Sequence, residues 1–272
     1  MRLVATWRRW ALGTGVLGVA FVGAVEGYLL LTHADRPLAA FGWLLVCAWA
    51  VLGVLVFSAL STEEASLARD LRIARTASPA IRGMVARRRP QASIVTRLFA
   101  TRLGTAAVLL ADGDREAALD AATAGSWLVR GGRVAKLRQV VDADAERATG
   151  TSVGLERCVQ RLRAMEPTGH RETDLYRLHV LVKAVLEQGD PDTAIDLADE
   201  LSASRDDDER VYAIWLRVWF DLDEDADYRE SASPLPEGEL RMAALVARSQ
   251  GADKLVAKLD ARIGSVARTL QG

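Results

Sequence analysis

LADGDREAALDAA (110–122) and LEQGDPDTAIDLA (186–198) are two copies of one turn, 76 residues apart. In each, a glycine (Gly113, Gly189) closes one helix in the left-handed conformation. The aspartate after it (Asp114, Asp190) opens the next as a cap, helped in the second copy by Pro191 in the first turn. The fifth residue after the glycine is a small one, Ala118 or Ala194, which lets the paired helices approach closely. Weaker copies start at Gly150 and Gly251. The offset of 76 is two units of 38, the period of a helix–turn–helix stack that hides its apolar faces only against its neighbours.

Around these turns the chain reads as helix after helix. Sustained period-2 alternation is missing, and the Asp112-Gly113 pair is flanked by Ala and Leu, which are helix formers. The pattern predicts helices near 94–111, 115–129, 133–148, 152–165, 173–188, 191–204, 208–222, 237–249 and 252–270. The fold class is therefore all-α.

The repeated residues Gly113, Asp114, Ala118 and Ala122, with Gly189, Asp190, Ala194 and Ala198, resemble the tetratricopeptide (TPR) family over about 94–204. The period of 37–39 exceeds the 34 of that family, and its usual Trp, Tyr and terminal Pro are missing. The resemblance implies a degenerate TPR-like α-solenoid over 93–272, with a concave face that holds peptides.

Upstream lie two apolar runs, Trp10 to Thr32 and Leu38 to Leu60, split by His33-Ala-Asp-Arg-Pro37. Each is about 23 residues, roughly 34 Å of helix, enough to cross a hydrocarbon core of about 30 Å. A five-residue turn makes them antiparallel neighbours, so residues 1–60 are expected to form a transmembrane hairpin. Arg2, Arg8 and Arg9 precede it, and Arg69, Arg72, Arg75, Arg82, Arg87, Arg88 and Arg89 follow it, which puts both chain ends in the cytoplasm. A cleaved signal peptide fits less well, because the apolar core is longer than an ordinary h-region. Gly23 and Gly27 form a small-xxx-small pair, suited to packing the hairpin on itself or to a homo-oligomer or partner contact. Glu26, the one formal charge in the first run, either reaches the interface or meets a partner subunit.

The formal net charge of −1 hides an asymmetry. Ser61 to Arg102 holds nine arginines and three acids, whereas the chain from Leu103 onward holds 22 basic and 31 acidic residues. A basic collar beside a membrane suits anionic lipid headgroups, with Arg87, Arg88 and Arg89 as contacts. Without interleaved aromatics it does not suit nucleic acid. Residues 61–92 read as a juxtamembrane helix and linker. The face of Leu67, Leu71 and Ala74 makes that helix either a surface-lying one or a docking stem, and Pro79 with Arg87 to Pro90 reads as the linker.

Signatures of chemistry fail on context. Asp221, Asp223, Asp225 and Asp227 have the spacing of a calcium loop, but Ala226 stands where the turn needs Gly, and Ala232 where a bidentate Glu belongs. Cys47 and Cys158 have no second Cys or nearby His at ligand spacing. His170 sits in a turn and His179 in mid-helix, each suited to a structural role. Gly131-Gly132 has no strand before it, and no phosphate loop, HExxH or GxSxG occurs. No catalytic residue, cofactor or metal is expected. Tyr212, Trp215 and Trp219 share one helix face and are either core or, if exposed, the wall of a partner groove.

These readings make the chain a multi-pass protein of a bacterial inner membrane. The expected function is that of a non-enzymatic scaffold or adaptor recruiting a protein partner, or else an accessory subunit of a larger membrane complex. The layout is similar to that of the HemY-type inner-membrane proteins linked to haem synthesis, which implies a scaffold without chemistry of its own.

Overall fold

A computed structural model describes residues 23, 66–88, 102–123, 132–222 and 235–269. Among the described residues every regular element is a helix. They are α1 (66–76), α2 (Pro79–Arg88), α3 (Leu103–Asp112), α4 (Arg115–Thr123), α5 (Gly132–Arg147), α6 (Ser152–Arg163), α7 (Arg171–Gln188), α8 (Pro191–Ser202), α9 (Asp207–Trp219), α10 (Glu237–Gln250) and α11 (Asp253–Thr269).

The turns are built as their residues require. α3 ends at Gly113 with φ +92°, and the amides of Gly113 and Asp114 bond back to the carbonyls of Leu110 and Leu109. Asp114 then accepts the Ala117 amide at 3.0 Å, opening α4. Gly189 repeats this with φ +74°, and Asp190 accepts from Asp192 and Thr193 at the head of α8, with Pro191 in its first turn. Only glycine takes such a φ without a Cβ penalty. Ala118 and Ala194 are fully buried, as close helix approach demands.

Packing follows an alternating order. α3 meets α5, α5 meets α7, α7 meets α9 and α9 meets α11, forming one continuous layer. α4 lies against α3 and α5, α6 against α5 and α7, and α10 against α9 and α11. α8 departs from the pattern, packing closely on α9 and only lightly on α7. Contacts one hairpin ahead are those of stacked helical units. A single apolar cluster runs through α1 and α3–α11.

The described residues from 67 onward form one compact unit, so α1 and α2 belong with the stack. Leu71 and Ala74 of α1 are fully buried. A Cβ added at Gly104 in α3 would stand 3.0 Å from Asp70, so the glycine is what lets α1 lie so near. The apolar face of this helix is therefore turned into the stack. Pro79, read as linker, instead starts α2: at the first helical position its missing N–H costs nothing.

No described helix is long and apolar enough to cross a membrane, and, Gly23 apart, both apolar runs of the expected hairpin lie outside the described residues. Gly23 is helical and exposed, while Glu26 and Gly27 lie outside the described residues.

Candidate interaction surface

Long-range polar contacts join α1 to the starts of α7 and α9. Arg75 is 3% exposed and places Nη1 3.1 Å from Asp208 and Nη2 3.4 Å from Glu172. Arg72 donates to the other oxygen of Glu172 at 2.9 Å. The acids stand in the first turns of α7 and α9, where the helix dipole favours negative charge. Burial alone would lower the pKa of Arg75, but the Tyr212 hydroxyl and Asp208 beside it outweigh that and leave it raised. Burial would likewise raise that of Glu172, and the two arginines hold it below its ordinary value.

At the far end of this segment Arg82 is buried, donating to the side-chain and main-chain oxygens of Gln250, both at 3.4 Å. Its pKa is lowered by burial, against the opposing pull of Asp112. Pro79 stands 3.4 Å from where a Cβ on Gly251 would lie. Helices α1 and α2 thus form a strap that lies along α3 and touches the starts of α7 and α9 and the end of α10.

Beneath the strap, α7 presents Glu172, Tyr176, His179, Lys183 and Glu187 on one face, spaced at the helical repeat. Tyr176 donates to Asp144 at 2.6 Å, and Arg147 bridges Asp144 at 2.8 Å and Glu187 at 2.6 Å. Burial, reinforced by Lys183, Arg75 and Arg147, holds His179 well below its usual pKa, so it is neutral. Lys183 is pushed down to about 8 by burial and by Arg147.

The groups weighed for chemistry have structural partners. Cys158 is fully buried, and burial with Asp144 pushes its thiol up to about 12. That is the opposite of an activated thiolate. His170 caps α7, accepting the Thr173 amide. His179 packs against Tyr212 and Trp215, with centroids at 5.6 and 6.5 Å. Among the described residues no group of His, Cys, Asp and Glu has the arrangement to hold a metal ion. Asp223, Asp225 and Asp227 lie outside the described residues.

Of the two readings left open for the aromatic stripe, the core one describes Tyr212 and Trp215. Tyr212 and Trp215 are each 2% exposed, and Trp215 donates to the Ala243 carbonyl on α10 at 3.1 Å. Trp219 is partly buried, with the Lys258 ammonium 5.3 Å from its ring centre. Of the arginines assigned to lipid, Arg87 is exposed on α2, while the Arg88 side chain and Arg89 lie outside the described residues. What the sequence reading missed is that Arg72, Arg75 and Arg82 of the same collar turn to the acidic body. The signal was present in Asp70 and Arg75, two charges on the side of α1 that also holds Leu71 and Ala74.

The geometry defines a stack of paired helices whose inner layer is crossed by a basic strap of the same chain. No family model, no curated protein and no solved structure matches the chain.

Proposed function

We propose that this protein is a membrane-anchored scaffold that recruits a protein partner through its helical stack. The reading rests above all on one observation: α3, α5, α7, α9 and α11 meet in succession, and left-handed glycines follow α3, α5, α7 and α10. Such stacks present long surfaces and serve mostly as binding platforms. The finer reading is a degenerate TPR-like solenoid in 93–272, held by the hairpin of 1–60 on the cytoplasmic side of a bacterial inner membrane, as in HemY-type proteins. Supporting it are the buried alanines of the repeated turn and the structural occupation of Cys158, His170 and His179.

Crosslinking in intact membranes, followed by mass spectrometry of what is captured on α3–α11, tests the reading. A reproducible protein partner is expected. A tag at Gly272 open to protease from outside spheroplasts would sink the cytoplasmic placement. Met242 and Leu245, exposed together on α10, favour the second reading of an accessory subunit. Native sizing would then give a larger complex of fixed stoichiometry.

A further inference from the structure

We propose that the strap, residues 66–88, is a displaceable built-in ligand, and that the face it covers is a receptor for an arginine-bearing amphipathic helix of a partner protein. This deepens the scaffold reading and rests on it, since it names the chemistry of the partner and what must move to admit it.

The strap's contact with the body is mixed. Leu71 and Ala74 lie in the core and Leu67, Ile73 and Val85 pack partly buried against it, interleaved with buried Asp70, Arg75 and Arg82. By contrast, α9 buries Val211 to Leu216 without a break, and Val218. The strap turns Ile81 and Met84 outward, at 48% and 55% exposure. Contacts between separable parts are more polar than cores, and that is the character of this one.

The strap's polar contacts are incompletely satisfied at both buried arginines, Arg75 Nε as well as Arg82 Nε lacking a partner. The Arg82–Gln250 bonds are long, at 3.4 Å, and Arg82 Nε and Gln250 Nε2 are buried without a partner. Unmade buried hydrogen bonds weaken such a junction, and separation starts where local stability is lowest.

The covered face also selects its occupant. Glu172 and Asp208 come from different helices and converge on one guanidinium, with Tyr212 beside it. A planar fork of donors satisfies two acids at once, which the point charge of lysine does not. The recognised element is a helix carrying Leu-Arg-x-x-Arg, as in Leu71, Arg72 and Arg75, with a further arginine just past a break in the helix, as Arg82.

The test uses the full-length chain in detergent and a fluorescent synthetic peptide of residues 66–88. Charge reversal, Arg75→Glu, sets its carboxylate against Glu172 and Asp208 and frees the face. The peptide should bind this variant at least about tenfold more tightly than the unsubstituted chain, a difference of about 1.4 kcal/mol. Adding Glu172→Gln and Asp208→Asn should abolish that gain. Equal weak binding by both chains, with α3–α11 still protected in hydrogen exchange, overturns the proposal.

Hydrogen exchange of the unsubstituted chain provides a second arm that does not depend on the variant folding. Strap amides should open separately and more readily than those of α7 and α9. Strap amides that exchange only with the whole body overturn the proposal, even where crosslinking still captures a partner and the scaffold reading stands.

Discussion

A guanidinium shut away from water needs its charge answered, and Arg75 is answered by Glu172 and Asp208 together. Truncation to Arg75→Ala leaves both acids short of a partner. Because Arg72 still holds Glu172 and Asp208 is partly exposed, the loss is set below the full cost of breaking a buried pair, at about 2–3 kcal/mol. A thermal melt followed by helix signal would read it, and an unchanged midpoint would refute it. Lys183 presents the reverse case. Its native pKa of about 8 lies below the ordinary 10.5, so the folded state holds the proton less tightly than the unfolded one. Stability contributed by this group is therefore present above pH 10.5 and is lost as pH falls towards 8. Lys183→Met is expected to raise stability at neutral pH by about 1–2 kcal/mol and to flatten the rise between pH 8 and 10.5 in denaturant titrations. The depressed pKa of His179 works at acid pH, because the unfolded chain takes up its proton first, below about 6.5. His179→Phe should lessen the loss of stability between pH 6.5 and 5. The letters marked Arg75 by its place on the apolar side of α1 but not its partner, since Glu172 lies 97 residues away.

At the scale of elements the turns decide most. Gly113 and Gly189 have φ of +92° and +74°, so alanine at either is strained by about 1–2 kcal/mol. Gly264 lies inside α11 with open space around it, where alanine should instead gain about 0.5–1 kcal/mol. Urea midpoints moving in opposite directions for Gly189→Ala and Gly264→Ala would bear this out. These turns were legible because glycine, aspartate and proline act on the backbone locally. Expected and observed helices therefore agree closely, as for 191–204 against Pro191–Ser202. The strap was misread where two local rules competed. Proline is a breaker in mid-helix and tolerated at a first turn, and only the fold shows which position Pro79 occupies. The apolar face of α1 likewise fits a lipid surface or a protein, and acids far along the chain decide between them.

Across the whole described body, the strap joins helices that the chain order keeps far apart. Arg82 and Gln250 are separated by 168 residues, and through them α10 is tied back to α2, which packs on α3. Gln250→Ala is therefore expected to speed amide exchange in α2 and α3 as well as in α10. An effect confined to α10 and α11 would contradict that coupling. Open helical stacks tolerate gain or loss of a unit, because each unit answers only to its neighbours. This one has a brace laid across it, two short helices broken at Ala77 and Ser78, with Arg75 and Arg82 as its ties. An inserted or deleted hairpin would pull Gln250 out of register with Arg82 while Glu172 still held Arg75, so the number of units is fixed by the length of a segment outside them.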